Sequence, residues 1–554
     1  MQKYLTSKNL LLAILVIAFF LRFWGAGSQD LFGDEAADAF RAISYLDFLG
    51  TSFQTQPVDW YKNGVLPWWT KLSFHDLPPL AILVMNLFFQ ILGDSILIAR
   101  LPAIIAGTLS AYLLYLIVKK LFQDETLALF SALFLAVNSA TVWIFRVSML
   151  EPILLFLLLL NIYLFFGFLE DKRKWWLFGI TLGLVALTKY TGMFILPVYA
   201  SYLAIKQRAV FKDWRLYASL GLALLLFTPV IIYNFYLYQA TGHFDLQFAY
   251  LLGQETPEWT MLVGKTQAPF SEILKNLATN SVLPVGYYGI LAMIFVLAGL
   301  IHSIFLFRKN RSSGILFFWL YFLFLTSLLV KIGSAHRFLA LYGPVFAVFS
   351  GLFLVFLWNL RKDGKLSYGF KSLVIFFFIW EIFHSINTNF IKFPDYGMAK
   401  LDRYFEEEFA GKKSAVIPES DNPHLNKVIN EFAFRKSRVQ SREFWLIVYN
   451  DNVALPTLEW IFYRRFFYHN IPTLFIENFI KTTNERGLNY FEGFQIYFVQ
   501  STENTVLNPF KKDKTAALEL ENFLLKKGLQ PAKVIYGNGG LPMFRVYKFT
   551  INDL

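Results

Sequence analysis

Two carboxylates stand side by side at Asp34 and Glu35, in the stretch GDEA just after the first long apolar run. A carboxylate held beside a membrane surface can serve as a general base when an apolar, partly dry pocket raises its pKa. An adjacent acid pair in a loop is nevertheless more often a solvated surface feature, because Asp and Glu are usually exposed. The position of this loop in the molecule therefore decides between the two interpretations.

Four cations occupy other breaks between apolar runs, at Arg146, Lys189, Lys331 and Arg337. Cations gathered on the same face as an acid pair could hold an anionic leaving group. The alternative is that Arg146 and Arg337 anchor helix ends at lipid headgroups. For Lys331 the anchoring role is the favoured one.

Two histidines, His75 and His384, could have either a functional or an ordinary structural role. His75 beside Asp76 suggests a metal ligand or a proton relay, whereas a lone His before a Pro-Pro pair is more often a cap or a surface group. Glu381 and His384, spaced i and i+3 in an apolar run, share a helix face. Intramembrane charge is costly, so this pair indicates either a function or a buried pair that locks helices.

No Gly-rich phosphate loop, HExxH or GxSxG motif supports nucleotide hydrolysis, zinc proteolysis or serine hydrolysis.

The composition indicates an integral membrane protein. The 554 residues are 56% hydrophobic and 16% charged, with 62 Phe, far from the average of soluble domains. The net charge of +12 comes from short basic clusters between apolar runs, which favours orientation in the membrane over nucleic-acid binding. Without any Cys there is no disulfide framework and no thiolate site, and the redox compartment stays undetermined.

Topology rests on the apolar stretch Leu80–Leu92, whose 13 residues fall short of the about 20 that a spanning helix needs. If it lies along the interface, the basic clusters at Lys119–Lys120 and Lys172–Lys174 both fall on the cytoplasmic side. Two short segments hinged at Lys189 to Gly192, within Trp175–Ile205, are either thin crossings or a re-entrant hairpin. Counting both, we expect about eleven transmembrane helices plus interfacial helices at the usual span length.

The composition changes near residue 390 to mixed charged and aromatic. We expect a transmembrane domain over residues 1–390 and an extracytoplasmic mixed α/β domain over 391–554. Strands are predicted at FWLIV, FQIYFV and KVIY, with a hairpin turn at YGNGGL before a last strand near Met543–Phe549. The predicted fold is thus a polytopic α-helical membrane protein with a soluble C-terminal domain.

The order of the motifs resembles the GT-C class of polytopic glycosyltransferases. They are LRFWG, GDEA, a His-x-x-Pro-Pro-Leu element, ARLPA, RVSMLEP, GLVALTKYTG and AHRFLALYGP. The set is most similar to the bacterial branch related to dolichyl-phosphate-mannose protein mannosyltransferases and to the lipid A aminoarabinose transferase. The resemblance covers about the first 390 residues and does not extend to the C-terminal domain.

The resemblance assigns roles to particular residues. It implies that Asp34 is the base, that Glu35 completes the acidic pair, and that Glu151 stands where the family usually has a second Asp. It also implies that Arg337, and Lys189 with it, lie near the lipid phosphate. His75 falls in the family's variable position before Pro-Pro, as an acidic-site, metal or acceptor-site candidate, and Arg146 joins the phosphate-binding candidates.

The chemistry implied is transfer of a sugar from a polyprenyl-phosphate donor to a hydroxyl of a protein, lipid or glycan acceptor, with inversion, on the extracytoplasmic face of the cell membrane. No nucleic-acid partner is expected, no cofactor is called for, and a divalent metal is left open. The first alternative function is a transporter or flippase for a lipid-linked glycan, since such a protein would also be polytopic with basic residues on its cytoplasmic side. A glycan ligase using a polyprenyl-diphosphate donor is a second alternative, which the early acid pair disfavours.

Overall fold

A computed structural model describes most of the chain. The described residues are 6–50, 55–61, 65–254, 256, 270–310, 312–333, 335–360, 365–410, 413–414, 419–420, 422–433, 442–450, 453–505 and 515–554. They form two compact units. The first contains Met1–Ala26, Trp69–Val84 and Arg100–Phe393, and the second contains Gly27–Trp68, Met85–Ala99 and Pro394–Leu554. The second unit thus takes in two early segments besides the region after residue 390.

The first unit is helical, because its sequence consists of long apolar runs separated by short polar breaks. Its helices are Ser7–Phe23, Glu125–Val137, Ser139–Ile144, Leu150–Glu170, Trp175–Thr188, Ile195–Lys206, Trp214–Thr241, Leu246–Leu252, Phe270–Tyr288, Ile290–Asn310, Ser313–Ile332, His336–Leu339, Gly343–Asn359 and Lys365–Ile386. Two further helices, Leu80–Leu92 and Ile96–Phe122, belong partly to each unit. Buried Phe, Leu and Val side chains from most of these helices make one continuous core.

Among the described residues, seven helices are long and apolar enough to cross a membrane. They are Ile96–Phe122, Leu150–Glu170, Trp214–Thr241, Ile290–Lys309, Ser313–Ile332, His336–Asn359 and Leu366–Ile391. Leu80–Leu92 forms a helix with the predicted bounds. The predicted hinge is also present, since Trp175–Thr188 and Ile195–Lys206 flank a 3-10 turn at Tyr190–Phe194. The polytopic helical class is confirmed, while the count of about eleven crossings stays a prediction.

Two apolar runs that are each about long enough for one transmembrane helix are broken. The run Leu127–Ile144 is interrupted at Asn138, whose backbone is extended and whose side chain caps the next helix by accepting from the backbone N–H of Ala140 at 3.1 Å. The run Val282–Phe307 is interrupted at Gly289, which has a φ of +93°, a conformation that costs Gly little. Hydropathy alone missed both breaks because apolar residues continue on each side.

The second unit contains a five-stranded mixed sheet. Its strands are β3 (Trp445–Tyr449), β4 (Thr473–Phe475), β5 (Gln495–Ser501), β6 (Lys533–Tyr536) and β7 (Pro542–Phe549), in the order β4-β3-β5-β7-β6. β3 runs parallel to β4 and β5, whereas β7 is antiparallel to β5 and β6. A separate parallel pair joins β1 (Lys413–Ser414) to β2 (Arg442–Glu443). The predicted mixed α/β class and the predicted hairpin before the last strand are confirmed.

Helices of the second unit surround this sheet. They are Asp34–Ser44, Pro57–Trp60, Met398–Glu408, Pro423–Ala433, Leu455–Thr457, Arg464–His469, Ile476–Arg486 and Thr515–Lys526, with a π-helical turn at Leu458–Tyr463. Asp30 fixes the start of Met398–Glu408, because its carboxylate accepts from the backbone N–H groups of Tyr396 and Ala399 at 2.6 and 2.7 Å. Two capped N–H groups at one helix start are the usual way of satisfying orphan donors.

Candidate active site

Glu151 is the centre of the charge cluster in the first unit. It lies in the first turn of Leu150–Glu170, where the helix dipole favours a negative charge. Its Oε1 is 2.6 Å from the Nζ of Lys189 and 3.6 Å from the Nε of Arg337. Three residues that are far apart in sequence therefore meet, as the motif order led us to expect.

The two cations of this cluster are held by a shared aromatic ring. The Lys189 ammonium lies 4.8 Å from the centre of the Phe338 ring, and the Arg337 guanidinium lies 5.2 Å from it. Lys189 caps the C-terminal end of Trp175–Thr188, where a positive charge is favoured. Contacts with a ring face of this kind stabilise cations by about 0.5–2 kcal/mol.

Exposure differs within the cluster. The Glu151 side chain is 1% exposed, Lys189 is 15% exposed and Arg337 is 32% exposed. The carboxylate is thus sealed while both cations keep accessible surface, and the three side chains carry a net charge of +1 (two cations and one carboxylate). Such an arrangement suits an anion better than a cation.

Arg146 has a different environment from the other predicted phosphate-binding residues. One of its guanidinium nitrogens donates to the backbone carbonyls of Leu21, Arg22 and Trp24 at 2.9, 3.2 and 2.7 Å. These carbonyls end the helix Ser7–Phe23 and lack partners within it. The geometry gives Arg146 a capping role, and a role toward phosphate stays a prediction.

Arg22 caps a neighbouring helix in the same manner. Its guanidinium donates to the carbonyls of Leu135 and Ala136 at 2.9 and 2.8 Å, at the end of Glu125–Val137. Arg146 therefore satisfies carbonyls at the end of the helix that carries Arg22, and Arg22 satisfies carbonyls at the end of Glu125–Val137. Both are fully buried, and a hydrogen-bonded helix end is the condition for burying such groups.

His75 lies in a buried turn. Its side chain is 1% exposed, and its Nδ1 is 3.9 Å from the carboxylate of Asp76. The backbone carbonyl of His75 accepts from the N–H of Leu246 at 2.8 Å, and Gln247 donates to the carbonyl of Asp76 at 3.0 Å. This turn is therefore fixed by the short helix Leu246–Leu252.

Asp245, which the sequence reasoning missed, caps that short helix. Its Oδ1 accepts from the N–H of Phe248 at 3.0 Å, and its Oδ2 accepts from Tyr190 and Asn234, each at 2.8 Å. Burial raises the pKa of Asp245 to about 6, although the hydrogen bonds from Asn234, Phe248 and Tyr190 work in the opposite direction. The sequence signal that could have found it is an Asp directly before an apolar helical stretch.

Glu381 is hydrogen-bonded to the side-chain amide of Asn138, which gives it a structural role. Its Oε2 accepts from Asn138 at 2.7 Å, and the same amide donates to the backbone carbonyl of Tyr288 at 3.0 Å. The Asn138 amide, at the first helix break, thus links Glu381 to Tyr288, which directly precedes the second break at Gly289. His384 lies beside Gly289, where an added Cβ would come within 3.1 Å of its ring.

The acid pair belongs to the second unit, and its two members differ. Asp34 and Glu35 begin the helix Asp34–Ser44, after Gly33 with a φ of +42°. Asp34 is exposed, whereas Glu35 is fully buried and accepts from the backbone N–H of Phe32 at 3.3 Å. Carboxylates in the first turn are favoured by the helix dipole.

The loop after this helix is fixed inside the second unit. Arg41 forms a buried pair with Asp47 at 2.6 Å, and the N–H of Gly50 donates to the Oε1 of Glu459 at 2.8 Å. Glu459 lies on the π-helical turn and is fully buried. Burial raises the pKa of Glu459 to about 7, against the opposing effects of the Gly50 hydrogen bond and the Arg41 charge.

Comparisons with known proteins agree with this architecture. Residues 76–233 match the family model described as dolichyl-phosphate-mannose-protein mannosyltransferase. ArnT from Cupriavidus metallidurans in the apo state is 10% identical with a TM-score of 0.51, over 99% of each chain. The same protein bound to undecaprenyl phosphate is 12% identical with a TM-score of 0.50, over 98% of each chain. The Archaeoglobus fulgidus oligosaccharyltransferase is 13% identical with a TM-score of 0.50, over 89% of this chain and 69% of that one.

The chain has the GT-C glycosyltransferase fold. The resemblance seen in the motifs is confirmed by the mannosyltransferase family model over residues 76–233 and, in fold, by these structures. A search of curated proteins finds no match in sequence. The likeness to ArnT covers nearly the whole chain, so in fold it reaches beyond residue 390, where the motif resemblance ends.

The family match also divides the predicted site residues. Glu151, Lys189 and Arg146 lie within residues 76–233, whereas Asp34 and Arg337 lie outside them. The structure brings Glu151, Lys189 and Arg337 together in the first unit. Their individual roles in the GT-C reaction remain predictions.

Proposed function

We propose that the protein transfers a sugar from a polyprenyl-phosphate donor to an acceptor hydroxyl on the extracytoplasmic face of the cell membrane. The observation that carries this proposal is the cluster of Glu151, Lys189 and Arg337, with a sealed carboxylate, two accessible cations and a net charge of +1. A phosphate monoanion or dianion is the complementary ligand. The undecaprenyl phosphate bound to the structurally similar ArnT supports the choice of lipid.

The leaving group explains why cations matter more than an acid here. When the bond between sugar and phosphate breaks, negative charge grows on the phosphate oxygens, which leave without being protonated. Arg337 and Lys189 would offset that growing charge in a site with little water. Glu151 would hold both cations in position through its single Oε1 contact point, without itself meeting the substrate.

Asp34 is the proposed general base. Its exposed carboxylate at a helix start would take the proton from an acceptor hydroxyl, which then attacks the anomeric carbon on the face opposite the phosphate. Displacement from that face inverts the configuration. Glu35, buried against Phe32, would fix the orientation of the turn that carries the base.

The remaining elements of the proposal are coarser. Residues 1–390 would form the catalytic membrane domain and 391–554 an extracytoplasmic domain, with a protein, lipid or glycan as acceptor. A divalent metal remains open, with His75 as a candidate ligand. Movement of an intact lipid-linked glycan is the alternative function, for which the broken helices beside Glu381 are the favouring observation.

The test uses purified protein in vesicles with saturating polyprenyl-phosphate sugar and an acceptor extract. We expect free polyprenyl phosphate to appear in step with glycosylated product. Arg337→Gln should be nearly inactive and Arg337→Lys partly active, because guanidinium binds two phosphate oxygens whereas ammonium acts as a point charge.

A matched control removes a cation elsewhere. Lys331→Gln takes one positive charge from the exposed end of Ser313–Ile332 and should keep wild-type turnover. Movement of intact donor across the bilayer without release of polyprenyl phosphate would overturn the proposal in favour of a transporter. Equal losses in the Lys331 and Arg337 variants would remove the specific role of Arg337.

A further inference from the structure

Asp245 is a buried carboxylate whose partners are hydrogen-bond donors. It accepts from Tyr190, from Asn234 and from the backbone N–H of Phe248, and its own N–H donates to the Oδ1 of Asn234 at 2.7 Å. It is 0% exposed, and within the described part of the chain no salt bridge reaches it. A buried charge without a cation is costly unless several donors satisfy it. Because burying the Asp245 carboxylate costs free energy, we infer that its hydrogen bonds serve a purpose at this position.

Asp245 connects two elements of the charge-bearing region in the first unit. On one side, Tyr190 immediately follows Lys189, whose ammonium contacts Glu151. On the other side, the helix that Asp245 caps holds the His75 turn through the N–H of Leu246. One carboxylate therefore fixes both the hinge and the turn.

The hinge needs such a fixed point. Lys189 is the residue at which the helix Trp175–Thr188 ends, and its backbone is extended with φ and ψ of −165° and 131°. A 3-10 turn, Tyr190–Phe194, then leads into the next helix. Backbone bonds within the break run from the N–H of Lys189 to Val185 at 3.2 Å and from the N–H of Gly192 to Lys189 at 3.0 Å, and the bond from Tyr190 to Asp245 ties the break to a separate segment of the chain.

We propose that Asp245 is a positioning residue that sets the placement of Lys189, through Tyr190, for binding the donor phosphate. This inference rests on the proposed function, since it assigns Lys189 to phosphate. Asp245 does not touch substrate; it keeps the Lys189 ammonium within reach of both Glu151 and the ligand. A displacement of about 1 Å at a reacting site can cost about 100-fold in rate.

The first test compares two Tyr→Phe variants in the same unit. Tyr190→Phe removes one hydroxyl and the bond to Asp245, while the ring contacts with Phe227 and Phe248 are kept. Tyr199→Phe removes an equivalent buried bond, 2.7 Å to the Oδ1 of Asn161, away from Lys189 in sequence and in its hydrogen-bond partners. Both should lower the thermal midpoint by a similar small amount.

Activity should separate the two variants. We expect Tyr190→Phe to reduce kcat about 10-fold or more and to weaken binding of undecaprenyl phosphate alone, as a misplaced Lys189 requires. Tyr199→Phe should stay within about twofold of the wild type in both readings. Equal turnover and equal phosphate binding in the two variants would overturn the inference.

A second variant tests the carboxylate itself. Asp245→Asn keeps one acceptor oxygen and puts an NH2 group against donors on the other side, so at least one of the bonds from Tyr190, Asn234 and the N–H of Phe248 is lost. If both changes break the same link, the double variant with Tyr190→Phe should be little slower than Asp245→Asn alone. Fully multiplicative losses would contradict a shared role.

Lys189→Met distinguishes failure of this inference from failure of the proposed function. If Lys189→Met neither slows transfer nor weakens binding of undecaprenyl phosphate, the proposed function of the cluster is wrong. If Lys189→Met is inactive while Tyr190→Phe behaves like Tyr199→Phe, only the positioning role of Asp245 is wrong.

Discussion

Glu151 in the first unit and the acid pair in the second unit show two ways of handling a carboxylate. Glu151 is 1% exposed and bound between two cations, whereas Asp34 is exposed at a helix start. A carboxylate that contacts two cations can hold both in place, because opposite charges attract at this distance. An accessible carboxylate at the start of a helix can meet a substrate hydroxyl. The comparison therefore separates a group that positions charge from a group that can move a proton.

Glu459 adds a third environment to this comparison. It is fully buried like Glu151, but within the described residues its Oε2 has no hydrogen-bond partner and no cation forms a salt bridge with it. Its pKa is correspondingly raised by burial to about 7. The lack of a salt-bridged cation thus distinguishes Glu459 from Glu151, whose carboxylate contacts two cations.

The largest expected effect follows from the role of Asp34. Asp34→Asn keeps the shape and loses the base, so turnover with saturating donor should fall about 10²- to 10⁴-fold. Binding of undecaprenyl phosphate and the thermal midpoint should stay unchanged. Turnover close to wild type would exclude Asp34 from the proton transfer and break the comparison with Glu151.

Glu151→Gln should have the next largest effect, because it removes the charge that holds Lys189 and Arg337 together. We expect turnover to fall about 10- to 100-fold, since both cations lose their fixed position. Stability should fall by about 1–2 kcal/mol, less than for a fully buried pair because both cations keep exposed surface. Added undecaprenyl phosphate should raise the thermal midpoint less in this variant than in the wild type, because misplaced cations bind phosphate more weakly. An equal rise in both proteins would argue against an anion site held in place by Glu151.

Glu459 should make the stability of the protein depend on pH. Its folded pKa of about 7 lies above the ordinary value of 4.5, so its contribution is fully present below pH 4.5 and is lost as the pH rises through 7. By linkage, the loss amounts to about 3 kcal/mol at most. Chemical denaturation of wild type and Glu459→Gln at pH 5 and pH 8 measures it. The wild type should lose more stability than the variant, and parallel pH dependence would remove Glu459 as the cause.

The smallest effect is expected at Glu35, next to the proposed base. Glu35→Gln keeps an acceptor for the N–H of Phe32 and loses only the charge, so stability should fall by about 0.5–1.5 kcal/mol. Turnover should remain within about 10-fold of the wild type, in contrast to Asp34→Asn. A loss as large as that of Asp34→Asn would give both members of the pair a catalytic role.

The sequence predicted the helices and strands better than the breaks within them. Glu151, Lys189 and Arg337 each lie in a motif at a polar break between apolar runs, and such breaks gather at membrane surfaces. In the structure the three side chains meet. The breaks at Asn138 and Gly289 were missed, since a capping amide and a positive φ leave no mark on hydropathy. The Asp245 network was missed because its members come from separate segments.

The C-terminal region shows the same limit. Apolar runs that alternate with helix-like stretches predicted β3, β5, β6 and β7, and apolar side chains of β3, β5 and β7 pack into one core. The short strand β4 was missed, as was the inclusion of Gly27–Trp68 in the second unit. Asp30 makes that inclusion understandable, because it caps a helix that begins at Met398. Hydrogen bonds between residues so far apart in the sequence leave no local sequence pattern by which they could be predicted.

The capping of the helix Ser7–Phe23 by Arg146 has a consequence for biosynthesis. The last carbonyls of this helix are satisfied by a side chain more than 120 positions downstream, and an unsatisfied carbonyl is costly in lipid. While the ribosome is still adding the intervening residues, the end of this helix must therefore remain in contact with water or with the insertion machinery. Native burial of Ser7–Phe23 becomes available only after residue 146 has emerged, so the helix is completed well after it is made.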